Sequence, residues 1–159
     1  MKLVVIAVGR PSALLADAIR EYESRAARYW SIEFIEVRAE RALGEADQRR
    51  VKDVESVRVL ERVTTGFELF ALTRGGGDAW TSTRLAKHLG DLAARSRPGA
   101  AFMIGGAFGL SDDALMRADR RLRLSTFTLP HDLARLLLAE QLYRAGSILR
   151  GEPYHKGGE

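Results

Sequence analysis

The sequence predicts an α/β protein with a parallel sheet covered by helices on both faces. Three observations carry this. Apolar, β-branched runs alternate with helical stretches along the chain. The first run is apolar at every position rather than at every second one, the pattern of a strand buried on both faces. The connections are short and punctuated by Gly, Pro, Ser and Asp, so helices cross between neighbouring strands.

Taken in order, Lys2 to Val8 is the first strand and ends at Gly9. Ser12 caps a helix to about Arg28, with Leu15, Ala18, Ile19 and Tyr22 at helical spacing. Ile32 to Val37 is the second strand. Glu45 to Val63 is a charged amphipathic helix carrying Val51, Val54, Val57 and Leu60. Phe67 to Leu72 forms the third strand, closed by Gly75-Gly76-Gly77-Asp78. Thr81 or Ser82 caps a helix to about Arg95, and Ala100 to Ile104 is the fourth strand, ending in Gly105-Gly106-Ala107-Phe108-Gly109. Ser111 caps a short helix, Leu122 to Leu129 is a fifth strand, and His131 to Leu149 is a long last helix. Gly151 to Glu159 is a polar tail. Repeats and low-complexity linkers are absent, and 159 residues suit one domain.

Composition bounds the chemistry. The chain is 46% hydrophobic and 29% charged, with 15 Gly, 4 Pro and no Cys. Disulfides, thiolate metal sites and cysteine nucleophiles are therefore excluded. The apolar runs fall short of the roughly 18 residues of a membrane span, and the N-terminus lacks a signal-peptide pattern. The expectation is a cytoplasmic protein with no membrane association. Net charge is +4, and of 25 basic residues only Lys2, Lys52, Lys87 and Lys156 are lysine. Arginine suits phosphate contacts, yet a bias toward arginine explains the same count.

Open parallel sheets bind ligands beyond the carboxyl ends of their strands. After the first strand stands Gly9-Arg10-Pro11-Ser12, with one glycine, which argues against an ordinary nicotinamide enzyme. The glycine-rich turns follow the third and fourth strands, and a third loop, Leu124 to Pro130, leaves the fifth, so a pocket is expected in the C-terminal half. Gly105, Gly106 and Gly109 serve either a close backbone approach to a ligand or tight turning. His88 reads as a solvated or partly buried helix residue. His131 either caps the last helix or takes part in function. Tyr154, His155 and Lys156 in the tail suit a substrate-contacting element or a loose terminus. No two histidines show metal-ligand spacing with a carboxylate, so no metal is expected. Arg117, Arg120, Arg121 and Arg123 form either a phosphate-facing patch or a solvated face. The leucines of the last helix point to burial on more than one side and to a subunit interface, interrupted by Arg135 and Arg144. Glu140 stands at helical spacing to pair with Arg144.

The ordering of these motifs resembles one family. Met1-Lys2-Leu3 opening a strand that ends Val8-Gly9, the block Ile104 to Ser111, the turn Thr128-Leu129-Pro130-His131, Arg135, the run Ala139 to Ala145, and Pro153-Tyr154-His155 together look like the ribosomal RNA large subunit methyltransferase H family of the SPOUT class. The resemblance spans essentially the whole chain, residues 1–159, as a single SPOUT methyltransferase domain. It implies a trefoil knot in the C-terminal half and a homodimer whose sites are completed across the interface. It also implies S-adenosylmethionine as donor and N3 of a pseudouridine in helix 69 of 23S rRNA, in the assembled ribosome, as acceptor. By position, the donor contacts fall on Leu72, Gly105 and Leu124, Ser125, Thr126, Phe127, Thr128 and Leu129. Tyr154 and His155 would approach the acceptor or close the pocket, with His155 first and His131 second as proton acceptor, and Arg135 and Arg144 would contact RNA phosphates or orient the pseudouridine. A methyltransferase of the same class acting on tRNA, or an RNA-binding module with a vestigial pocket, are the other readings. Three positions depart from the family pattern: Thr73 stands where an acidic residue is usual, Gly77 where a lysine is common, and Gly146 where an aromatic is usual. The last is expected to loosen the helix, since Gly costs about 1 kcal/mol relative to Ala there.

Overall fold

A computed structural model describes residues 1–155, with the side chain of His155 outside the described atoms. Six strands form one sheet: β1 (Lys2–Val8), β2 (Ser31–Val37), β3 (Glu68–Leu72), β4 (Asp78–Ala79), β5 (Gly99–Ile104) and β6 (Arg120–Arg123). Their order is β2-β1-β5-β3-β6-β4, and every neighbouring pair is parallel. Four helices cross between them, α1 (Ala13–Ala26), α2 (Gln48–Leu60), α3 (Ser82–Ala94) and α4 (Asp112–Arg117), and α5 (His131–Leu149) follows the last strand.

The period of two along β1 builds both halves of the core. Leu3, Val5 and Ala7 pack with Leu85 and Leu89 of α3 and with Leu138 and Leu142 of α5. Val4, Ile6 and Val8 face the other way and pack with Val59 of α2 and Ala114 of α4. Helices thus cover both faces, as the uninterrupted apolar run requires.

Local capping agrees with the sequence at two helices. Thr81 Oγ1 accepts from the Arg84 amide at 3.1 Å, and Ser111 Oγ accepts from the Ala114 amide at 3.3 Å. Ser12 precedes α1 without a side-chain cap; its own amide instead donates to Asp132 Oδ2 at 3.2 Å, tying α1 to the start of α5. The charged helix is shorter than expected: Glu45–Asp47 is a 3-10 turn, and α2 stops at Leu60.

The largest differences lie around the fifth expected strand. β6 covers only Arg120–Arg123, and residues 124–130 leave the sheet as a loop. Its pairing with β3 ends at Leu72↔Leu122, and Ser125 Oγ accepts from the Phe127 amide at 2.9 Å, turning the chain away. A sixth strand, β4, emerges from the glycine cluster and pairs with the far side of β6. A later segment is therefore inserted between two strands that are consecutive in sequence.

α5 lies between α1 and α3 on one face of the sheet, so much of its leucine surface is covered within the chain; Leu133 and Leu149 stay 37% and 47% exposed. Gly146 does not loosen it. The helix runs unbroken to Leu149, and a Cβ at Gly146 would stand 2.4 Å from Tyr29 Cβ and Cγ. The Tyr29 ring lies where a side chain from α5 would otherwise go, so glycine is required by packing rather than merely tolerated.

Candidate functional site

The carboxyl ends of β3, β5 and β6 enclose a cavity of about 210 Å³. Its walls are mainly apolar, with Leu72 from β3, Ile104 from β5 and Leu124 and Leu129 from the loop after β6. Backbone of Gly105, Gly106 and Gly109 forms one side, and Thr73, Arg74, Ser125 and His131 supply polar groups. The glycines are there for the loop's own closure. A Cβ at Gly105 would lie 2.4 Å from the Gly109 carbonyl carbon, and the Gly109 amide donates to the Gly106 carbonyl at 3.0 Å. Gly109 itself has φ +81°.

Of the positions singled out in sequence for donor contacts, Leu72, Gly105, Leu124, Ser125, Phe127 and Leu129 line this cavity, while Thr126 and Thr128 are exposed outside its wall. His131, the first residue of α5, also lines it. His131 Nε2 is 3.5 Å from the Arg10 carbonyl and faces the Gly9 backbone. Sequence reasoning passed over Ile104, Phe108 and Arg74; Arg74 reaches across the mouth to donate to the Ala107 carbonyl at 2.6 Å.

Beneath the Gly105–Gly109 loop sits a buried acid with no sequence signal, because α2 reads as a charged surface helix. Glu55 is 3% exposed; its Oε1 accepts from the Glu40 amide at 2.9 Å, while Oε2 is buried without a hydrogen-bond partner. A Cβ at Gly106 would stand 2.5 Å from that oxygen. Burial pushes the Glu55 carboxyl above its usual range, with the Glu40 amide acting the other way. The folded state then holds this proton more tightly than the unfolded chain, so Glu55 detracts from stability as pH rises through the ordinary carboxylate range. Glu55→Gln is expected to raise stability at pH 7 by on the order of 1 kcal/mol, with the gain vanishing near pH 4. Thermal melts of both proteins across that interval check it.

The other singled-out residues gather elsewhere. Arg144 makes hydrogen bonds to Glu140 Oε1 at 2.8 and 3.0 Å and lies 4.8 Å over the Tyr154 ring. Tyr154 donates to the same Glu140 oxygen at 3.1 Å and packs on Tyr143 at 4.5 Å. Burial, then a hydrogen bond with Tyr22 and the Glu140 charge, hold the Tyr154 phenol above its ordinary value and neutral. Thirteen residues of α5, roughly 20 Å, separate Arg144 from His131. Within one chain Tyr154 therefore stands far from the cavity. Arg144 instead lines a second, larger space of about 570 Å³ between α3 and α5, beside Trp80, Arg123 and Gln141.

Arg135 is not presented to a ligand. It is 7% exposed, with Nε 2.6 Å from Glu23 and an Nη 2.7 Å from Glu36, and it ties α5 to α1 and β2. In the Arg117–Arg123 group, Arg117 pairs with Asp113, Arg120 with Glu68, which also bonds His88 at 2.6 Å, and Arg121 donates to the Leu115 carbonyl, while Arg123 Nε is buried without a hydrogen-bond partner. The side chain of His155 lies outside the described residues.

A family model described as "Predicted SPOUT methyltransferase" matches residues 1–155. A protein of Gemmatimonas aurantiaca named ribosomal RNA large subunit methyltransferase H is 45% identical over 158 residues, covering 98% of this chain and all of its own. The chain belongs to this SPOUT methyltransferase family. Similar folds are seen in a probable methyltransferase from Bordetella pertussis, with 19% identity, TM-score 0.52 and 91% and 94% of the two chains covered. Another is a putative methyltransferase of Legionella pneumophila in complex with SAM, with 12% identity, TM-score 0.50 and 91% and 66% covered. Two of the departures meet beside the cavity, Thr73 in its wall and Gly77 just outside it. Thr73 Oγ1, buried and without a hydrogen-bond partner, would be 2.5 Å from a Cβ at Gly77, where the Arg121 carbonyl also lies within 2.9 Å. Thr73 and Gly77 are thus matched to each other, and no side chain fits at Gly77 without moving Thr73 or the backbone of β6.

Proposed function

We propose that this chain is an S-adenosylmethionine-dependent methyltransferase acting on N3 of a pseudouridine in helix 69 of 23S rRNA, in the assembled ribosome. The observation that carries the reading is the convergence of Leu72, Gly105, Leu124, Ser125, Phe127 and Leu129 on one cavity in a chain whose relatives carry that rRNA methyltransferase name. The wall also fits the donor chemically. Apolar leucines suit an adenine and a thioether stem, and the glycine loop leaves backbone amides and carbonyls within reach. Thr73 Oγ1 is a buried hydroxyl in the same wall with no partner of its own. The reading takes residues 1–159 as a single domain working in the cytoplasm, and takes the insertion of β6 between β3 and β4 as the site of the trefoil knot. Among the described residues, no helix is long and apolar enough to cross a membrane.

The donor, when bound, supplies an already activated methyl group, so the protein's work is alignment and exclusion of water. The leucine walls and the Gly105–Gly109 backbone hold and screen the donor. Thr126 and Thr128, exposed beside the wall, complete the contacting loop in this reading. Methylation of N3 releases one imide proton. His155, and after it His131 at Nε2, accepts that proton, and Tyr154 orients the acceptor base. Because Tyr154 packs against its own α5 far from its own cavity, a homodimer in which the tail serves the partner's cavity is part of the proposal. Arg135, by its ion pairs, then supports RNA binding only by fixing α5, and Arg144 contacts RNA from beside Tyr154.

The test is transfer of labelled methyl groups to ribosomes lacking the modification, with the methylated nucleotide mapped. Label on a helix 69 pseudouridine is the expected result. Donor binding without ribosomal label would shift the acceptor to another RNA such as tRNA, and failure of both would leave an RNA-binding module. His155→Ala is expected to lower the rate without changing donor affinity; unchanged turnover would remove His155 from the chemistry.

A further inference from the structure

The arginines expected to meet RNA from α5 are largely occupied by carboxylates, Arg135 by Glu23 and Glu36 and Arg144 by Glu140. Unneutralised positive charge lies elsewhere. Arg10 follows β1, Arg38 and Arg41 follow β2, and Arg74 follows β3, so all four stand at the carboxyl edge of the sheet, where the cavity opens. All are exposed, and among the described residues none has a carboxylate partner. Of the nearby acids, Glu40 is held by Arg50 and Arg58, Asp47 by Arg50, and Asp132 by the amides of Ser12 and Leu133, which leaves the exposed Glu45 as the acid in this segment without an ion pair. The β2-to-β3 edge, three strand spacings wide, extends about 14 Å.

The same edge carries apolar side chains in water. Leu14 is 88% exposed at the start of α1, Leu43 83% after β2, and Phe127 79% at the cavity mouth. Free guanidinium groups interleaved with an exposed aromatic ring match a nucleic-acid strand, whose phosphates take the charge and whose unpaired bases stack. The opposite edge provides the contrast. Arg62, Arg95 and Arg97 are also exposed and make no close ion pair, Arg95 acting on Asp91 only at longer range, but the donor cavity does not open there.

Resting on the methyltransferase reading above, we infer that Arg10, Arg38 and Arg41 form the RNA docking surface, their guanidinium groups holding phosphates beside the cavity mouth at Phe127. This assigns RNA positioning to the ends of β1 and β2 in addition to the C-terminal helix and tail.

Two triple variants with the same loss of charge test it: Arg10→Gln/Arg38→Gln/Arg41→Gln at the rim, and Arg62→Gln/Arg95→Gln/Arg97→Gln at the far edge. Affinity for ribosomes lacking the modification is measured at several salt concentrations, with S-adenosylmethionine binding followed by calorimetry. The rim variant is expected to bind ribosomes about tenfold or more weakly, its log–log salt slope reduced by about 2 to 3, with donor affinity within about twofold of the parent. Arg→Lys at the three rim positions is expected to restore most of the slope. The far-edge variant is expected to stay close to the parent. Equal losses in the two variants would overturn the assignment, as would a loss with an unchanged salt slope, which would mean that the rim meets a protein or a second copy of this chain. Either result leaves the methyltransferase reading standing if the parent still labels ribosomes. A parent that neither binds nor labels them overturns both.

Discussion

Arg135→Met is expected to destabilise the protein by about 3 kcal/mol, the low end for breaking a buried ion pair, because Glu36 is 37% exposed at its side chain and water recovers part of its solvation. The substitution keeps the apolar stem but leaves Glu23, whose side chain is 14% exposed, facing a hole where the guanidinium stood. For a chain of this length the loss corresponds to a fall in Tm of roughly 6–12 °C. Arg135→Met combined with Glu23→Gln is expected to recover much of it, since the uncompensated charge goes with its partner. Thermal melts of the single and double variants decide the matter. If Arg135→Met melts like the parent, the pairs with Glu23 and Glu36 do not hold α5.

Gly105→Ala is expected to weaken donor binding strongly while the remainder of the fold stays intact. The added Cβ would meet backbone only: the Gly109 carbonyl carbon at 2.4 Å, the Leu110 nitrogen at 2.7 Å and the Gly109 oxygen at 2.8 Å. Backbone cannot yield by a rotamer change, so the Gly106–Gly109 turn must open at a cost of about 1–3 kcal/mol. That turn is a wall of the cavity, and its opening is expected to lower affinity for S-adenosylmethionine by tenfold or more. Calorimetric titration beside circular dichroism separates a damaged site from a damaged fold. Parent-like affinity would place the donor elsewhere, the space between α3 and α5 being the next candidate.

Gly105 and Gly146 show two kinds of legibility. Gly105 was singled out because it follows a buried strand, and the cavity lies there; its reason, contact with its own loop, is a tertiary distance that no local pattern records. Gly146 read as a weak point in a helix. The chain instead brings Tyr29, 117 residues earlier, against its Cα, and a residue that costs helix propensity is required by packing. Arg135 likewise stands as an RNA contact only through the family resemblance, and in the sequence it merely interrupts an apolar helix. Its explanation lies on α1 and β2.

Local patterning determined the element order, the parallel sheet and both core faces, because a doubly buried strand must be apolar throughout and its helices must return over it. It determined the last helix to the residue and pointed to the three strand-end loops that meet at the cavity. The tertiary structure alone decided that β6 ends at Arg123, since a strand continues only while a neighbour pairs with it, and that Asp78–Ala79 adds a sixth strand on its far side. It alone decided which arginines are free and which are bound by carboxylates, and it revealed Glu55 beneath the glycine loop. Charge and burial depend on what the fold brings within a few ångströms, and sequence separation does not record that distance.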